Sequence, residues 1–445
     1  MPTLTRRSFL ASSSAALAQS PRRPNILLVM ADDLGYECLS GNGGTSYKTP
    51  NLDAMARQGL RFNHAFAQPL CTPTRLQLMT GQHNFRNWQS FGTMAPEEKT
   101  FGHMMQQAGY KTAIAGKWQL FSYDAPPSKY RGTGKPPEKG GFDEFFLWHD
   151  AYSEDKGSRY ADPRINHNGK LVANTKGKYG PDLFSDYLID FMARHRNQPF
   201  FAYYPMALTH GPFNSTPISD DWATADRVKD NPRYYKDMVH YLDRDMGKVL
   251  SAVDRLGLAE NTIVMFYADN GTPPEITSRM GKRVIPGGKR MTTEAGMRVP
   301  LLVRWKGTTP QGKTCEDLID STDFLPTIAA ATGARWFDGL PLDGCSFLPQ
   351  IRGEKGSPKP ALFSHFDPHP SCKADIQPTR LAWDHRFKLY LDGRLYDWKA
   401  DPLEQRPITS GATEARAKLQ KVLDEMAQIR APKFNRFEPD GKPAY

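Results

Sequence analysis

The sequence predicts an α/β fold: a large, mostly parallel sheet sandwiched by helices, followed by a smaller C-terminal α+β subdomain carrying an antiparallel sheet. Helix patterns and apolar runs alternate along most of the chain. The apolar runs lack polar alternation, as expected of strands buried on both faces. Beyond about residue 349 the pattern changes to short strands with turns and one last helix.

The first run, NILLVMADD (25–33), ends in two carboxylates. TPNLDAMARQG (49–59) reads as a helix with a Thr cap, Pro at its first position and Gly at its end. Residues 100–118 read as helix, Gly stop and strand, ending near Lys117. Residues 182–213 repeat helix then strand and reach His210; residues 234–271 repeat it again and reach Asp269 and Asn270. MRVPLLVRW (297–305) is a further strand. ALFSHF, TRLAWDHRFKLYLDG and RLYDWKADP read as antiparallel strands, and residues 413–430 as the terminal helix. Segments 122–141 and 153–180 are polar and read as long loops over the sheet edge. The division expected is 1–18, an export signal; 19–350, the catalytic domain; and 351–445, the α+β subdomain.

The chain has 445 residues, 39% hydrophobic and 24% charged, which suits a globular protein with a large core. No apolar run approaches the ~20 residues of a membrane span. A net charge of +10 favours acidic partners. Without zinc-finger, RNA-binding or heptad signatures, sulfated or carboxylated glycans are favoured over nucleic acid. Arg6 and Arg7 precede Ser8, Phe9 and Leu10, and Ala16-Leu17-Ala18 is a small-residue cleavage pattern. This resembles a twin-arginine signal and predicts a periplasmic or secreted protein beginning near Gln19. Five cysteines with no CxxC pair argue against zinc, and Cys71 is the one expected to stand alone.

Polar residues recur just after strand ends: Asp32, Asp33, Lys117, His210, Asp269 and Asn270. Ligands of open α/β sheets bind at that edge. Asp32, Asp33, Asp269 and Asn270 offer only oxygen, which suits a hard cation, calcium or magnesium. Arg75, Lys117, His210 and Lys289 are the cationic candidates. Cys71 opens CTPTRLQLMTG at a helix entrance, with Arg75 one turn further in. That is either an ordinary helix start or a place for an anion-handling nucleophile.

CTPTR (71–75) resembles the C-x-P-x-R core of the sulfatase family, with LMTG following in place. RPNILLVMADDLGY, GYKTAIAGKW, THGPF, VMFYADNGT, GKRMTTEAGMRVPLLVRW and RLYDWKADPLEQ are similar to further segments of that family, in order along the chain. The resemblance implies an alkaline-phosphatase-like fold. It also implies that a maturation enzyme oxidises Cys71 to formylglycine, whose hydrated aldehyde attacks the sulfur of a sulfate ester, expected to be a sulfated carbohydrate. It places a divalent cation at Asp32, Asp33, residue 71, Asp269 and Asn270. Arg75 then favours charge on residue 71, Lys117 and Lys289 hold the sulfate, and His210, with Lys289, protonates the leaving alcohol. Gln119 departs from the family, which has His in a GKWHLG-like stretch. An amide there can hydrogen-bond the diol but cannot accept its proton. Two other readings follow: a phosphodiesterase or phosphonate monoester hydrolase of the same superfamily, or a non-catalytic binder of sulfated glycans.

Overall fold

The computed structural model describes residues 23–122, 131–367 and 378–429. The export-signal segment and Cys372 lie outside them. Strands in chain order are β1 (Asn25–Ala31), β2 (Leu60–Phe66), β3 (Lys111–Lys117), β4 (Glu144–Trp148), β5 (Asn166–His167), β6 (Lys170–Leu171), β7 (Phe200–Pro205), β8 (Thr262–Ala268), β9 (Thr277–Met280), β10 (Arg283–Pro286), β11 (Leu301–Arg304) and β12 (Lys313–Asp320). The C-terminal strands are β13 (Leu362–Phe366), β14 (Thr379–Trp383), β15 (Phe387–Tyr390) and β16 (Leu395–Asp397).

The large sheet runs β12-β2-β11-β8-β1-β7-β3-β4-β5-β6. Its centre is parallel: β1 pairs with β7 on one side and β8 on the other. β1, β7 and β8 are buried along their whole length, which explains their unbroken apolar runs. Each aliphatic side chain so buried contributes ~1.5–3 kcal/mol. β11 runs antiparallel to both β2 and β8. The C-terminal sheet, β13-β14-β15-β16, is antiparallel throughout, with the helix Thr413–Ala427 against it.

Two expectations are corrected. Segment 153–180 is not all loop: β5 and β6 form a hairpin that extends the large sheet. Its turn is Asn168-Gly169, with φ of 51° and 88°, the strained pair that an Asn-Gly turn accepts. Thr49 precedes the helix Pro50–Arg57, but its hydroxyl caps no helix N–H; it contacts Ser40 and Asp53 instead. β2, β4 and β12 lay outside the strands read from sequence. No helix among the described residues is long and apolar enough to cross a membrane.

Candidate active site

Four parallel strands converge on one edge. β1 delivers Asp32 and Asp33, β8 delivers Asp269 and Asn270, β3 ends in Lys117, and the turn after β7 carries His210. Backbone bonds fix their relative depth: Asp269 N–H donates to Ala31 (3.0 Å), Asp32 N–H to Leu208 (2.8 Å) and Thr209 N–H to Asp32 (2.6 Å). Gly116, at φ 124°, lets β3 pass close to β7; a Cβ there would lie 2.0 Å from the Pro205 carbonyl oxygen.

Cys71 is the first residue of the helix Cys71–Thr80, every residue of which is buried. Gly81 ends the helix in the left-handed conformation. The Thr74 hydroxyl donates to the Asp269 carbonyl (2.5 Å) and pins the helix entrance to the end of β8. The loop bearing Lys289 is tied on both sides: Lys289 N–H donates to Thr272 (2.9 Å) and Arg290 N–H to Pro69 (2.8 Å).

The side chains then meet. Lys117 Nζ lies 2.7 Å from Asp32 Oδ2, and Lys289 Nζ 2.6 Å from Asp33 Oδ2. Arg75 stands 3.4 Å from Asp269 and 3.9 Å from Asp32, and donates to the Lys117 carbonyl at 3.0 Å. His210 Nε2 lies 3.8 Å from Asp33 Oδ2, and its Nδ1 lies 2.6 Å from the Gly211 carbonyl. Cys71 Sγ lies 3.6 Å from Gln119 Oε1. All the residues predicted for the site therefore fall in one cluster. Asp33, Gln119 and Arg290 adopt positive φ there, strain of the kind that collects at functional sites.

Charge is unevenly shared. Burial opposes ionisation of Asp32, yet Lys117, His210, Arg75 and Lys289 outweigh it and hold the carboxyl far below its usual range. For Asp269, burial dominates and the Asp32 charge adds to it, so its pKa rises well above the usual range. Burial and Asp32 likewise raise Asp33 against the pull of Lys289. Burial pushes the Cys71 thiol up, which makes it a poor thiolate nucleophile. Burial, then the Lys289 charge, lower His210.

The acids fit a cation. Ligand atoms of Asp32, Cys71 and Asp269 lie within 4.8 Å of one another, as do those of Asp32, Asp33 and His210. Asp32 Oδ1 and Asn270 Oδ1 are buried without a hydrogen-bond partner. Asn270 turns its amide nitrogen to Asp33 (2.8 Å) and Gly271 (2.9 Å), leaving its oxygen available. Three carboxylates and the Asn270 amide offer oxygen donors, which suit calcium or magnesium.

Cys38, Cys71, Cys315 and Cys345 are all free thiols. Sequence reasoning missed the wall built by β4. The residue after it, His149, is buried and holds the Gln119 N–H through its carbonyl (3.0 Å). The signal was EFFLWHD, an apolar run ending in polar residues like those of β1 and β8.

Known proteins match this arrangement. The sulfatase family model matches residues 24–334, and the model of the N-sulphoglucosamine sulphohydrolase C-terminal region matches residues 288–431. Human arylsulfatase A is 35% identical over 96% of this chain and 91% of that protein. Dog N-acetylgalactosamine-6-sulfatase is 30% identical over 81% and 72%. Among solved structures, Ps i-CgsB with k-i-k-neocarrahexaose has a TM-score of 0.75 at 24% identity, covering 93% and 95%. The phosphonate monoester hydrolase of Agrobacterium radiobacter has a TM-score of 0.68 at 19% identity, covering 94% and 99%; these two likenesses show the shared alkaline-phosphatase-like fold. The extent of the two family matches and of the arylsulfatase likeness places the chain in the sulfatase family, as a sulfuric ester hydrolase.

Proposed function

We propose that this sulfatase acts on sulfated carbohydrate, using a formylglycine made from Cys71 by a maturation enzyme and a divalent cation held by Asp32, Asp33, residue 71, Asp269 and Asn270. The observation that carries this reading is the pair of buried, unpartnered oxygens of Asp32 and Asn270, set among three carboxylates beside Cys71. Once formed, the hydrated aldehyde would supply a hydroxyl nucleophile toward sulfur. Calcium or magnesium, when bound, would supply charge that favours ionised carboxylates and polarises a sulfate oxygen.

The remaining groups divide the work. Lys117 and Lys289 bind sulfate oxygens in a site from which water is largely excluded, where a fixed cation is worth most. Arg75 orients Asp269 and the end of β3, and favours negative charge on residue 71. Gln119 positions residue 71 but takes no proton. Protonation of the departing alcohol is assigned to His210 together with Lys289, whose ammonium is held beside Asp33. The carbohydrate reading is supported by the net charge of +10 and by the name of the dog relative.

Intact-mass analysis of protein from its native host tests the reading. The peptide holding residue 71 is expected to have exchanged its sulfur for an aldehyde oxygen, and chelation to abolish turnover until calcium or magnesium is returned. Retention of the thiol in active protein would overturn it. Export through the Arg6-Arg7 segment to the periplasm or beyond is also proposed; replacing both arginines by Lys is expected to hold the protein in the cytoplasm.

A further inference from the structure

Arg159 is only 6% exposed, yet among the described residues no carboxylate is paired with it, and its Nη1 is buried without a hydrogen-bond partner. Its guanidinium lies 3.8 Å from the centre of the Trp148 ring. Burying an arginine without an anion is costly, and proteins rarely do so without use. Neighbouring acids are engaged elsewhere: Asp150 with Arg164 and Asn166, and Glu154 with Arg131.

The placement is fixed and close to the chemistry. Trp148 pairs in register with Lys117 across β3 and β4. Its indole N–H donates to Gly157 (3.0 Å), folding the following segment back over the ring. The next residue, Tyr160, donates its hydroxyl to the carbonyls of Ala207 (2.7 Å) and His210 (2.5 Å). Gly180 N–H donates to the Tyr160 carbonyl, and a Cβ on Gly180 would meet the Arg159 carbonyl oxygen at 2.0 Å. Arg159 is thus clamped between the strand end bearing Lys117 and the turn bearing His210. The Trp148 ring under its guanidinium and the Tyr160 hydroxyl bond to the His210 carbonyl hold this segment beside the turn bearing His210, the residue assigned to the leaving alcohol.

We propose that Arg159 forms a subsite for a second anionic substituent, a sulfate or a carboxylate, on the alcohol half of the substrate. This rests on the carbohydrate sulfatase reading above. A planar guanidinium backed by an aromatic ring presents its N–H fork to either oxyanion. The selectivity that results is for doubly charged sugars over singly charged ones.

The test separates binding from turnover. The Cys71→Ala protein is titrated calorimetrically with a panel in which each hexosamine monosulfate is matched with its disulfate and with a uronate-bearing disaccharide of the same monosulfate. At least one doubly charged member is expected to bind tenfold or more tightly than its monosulfate, and the arm that shows this identifies the anion. Adding Arg159→Met, which keeps the packing on Trp148, is expected to erase that preference while monosulfate binding moves less than threefold and the melting temperature does not fall. Arg159→Lys should restore part of the preference. A panel without preference, a preference that survives Arg159→Met, or an equal loss for single and double charges overturns the proposal. Failure of the underlying reading looks different: the wild-type protein from its native host would hydrolyse neither the panel nor 4-methylumbelliferyl sulfate.

Discussion

Among the described residues, two buried clusters that combine aspartates with lysines are finished differently. At the end of β12, Lys359 lies 3.0 Å from Asp320 and 2.7 Å from Asp323. The other oxygen of Asp320 accepts from the Thr322 N–H and hydroxyl. Asp323 accepts from the N–H groups of Asp320 (2.9 Å) and Cys345 (2.7 Å). Every carboxylate oxygen there is engaged. In the cluster at the ends of β1, β3 and β8, Asp32 Oδ1, Asn270 Oδ1 and Arg75 Nε have no hydrogen-bond partner. The first is a clasp that closes on itself; the second keeps buried polar atoms that no protein group satisfies. Buried charge alone does not mark a site, and unfinished hydrogen bonding is the sharper sign.

The comparison breaks if the two clusters respond alike to substitution. Cys71→Ala is expected to lower kcat by about 10⁴-fold or more, since the proposed mechanism draws its nucleophile from residue 71, with little change in melting temperature. Lys359→Met should do the reverse. Leaving two buried acids without their cation costs ~3–5 kcal/mol, read by denaturant unfolding, while kcat per folded molecule stays within about twofold. A Lys359 variant that loses turnover without losing stability would erase the distinction.

The clasp also makes a pH prediction. Burial pushes Asp323 up to about 7, so the folded state holds a proton there that the unfolded state releases near pH 4. The resulting stability is present at low pH and is lost as pH rises through about 7. Relative to Asp323→Asn, the wild-type protein should therefore lose stability between about pH 4 and 7, by at most ~1.4 kcal/mol per pH unit, and no further above. A difference that does not vary with pH would show that Asp323 is ionised throughout.

The smallest effect expected is at Gln119. If its amide only positions residue 71, Gln119→His should change kcat by no more than about tenfold, in line with a single modest interaction. Complete loss would show that the pocket around Cys71 and His149 has been rebuilt for the amide.

Much of this could be read from residue order alone. The runs NILLVMADD, KTAIAGK and TIVMFYADN specify buried strands because nothing in them tolerates a wet face, and the polar residues at their ends must then emerge at one edge of the sheet. That logic alone brings Asp32, Asp33, Lys117, Asp269 and Asn270 to one edge. It worked less well where strands are short or half-exposed. β2 alternates buried with partly exposed residues, and β12 is exposed along its first half. β4 was passed over between two polar segments, and Arg159 lies in the second of these, which read only as a loop.

The sequence by itself determined the alternation of helix and strand, the row of oxygen-bearing residues at the strand ends and the family, because these depend on local pattern and spacing. Only the tertiary structure decided which oxygens are left unpartnered, that Gln119 touches Cys71, and that Arg159 is buried on Trp148 with no acid paired to it among the described residues. Those facts depend on contacts between residues tens to hundreds of positions apart, and a chain records them only once burial has removed the water that would otherwise satisfy every one of these groups.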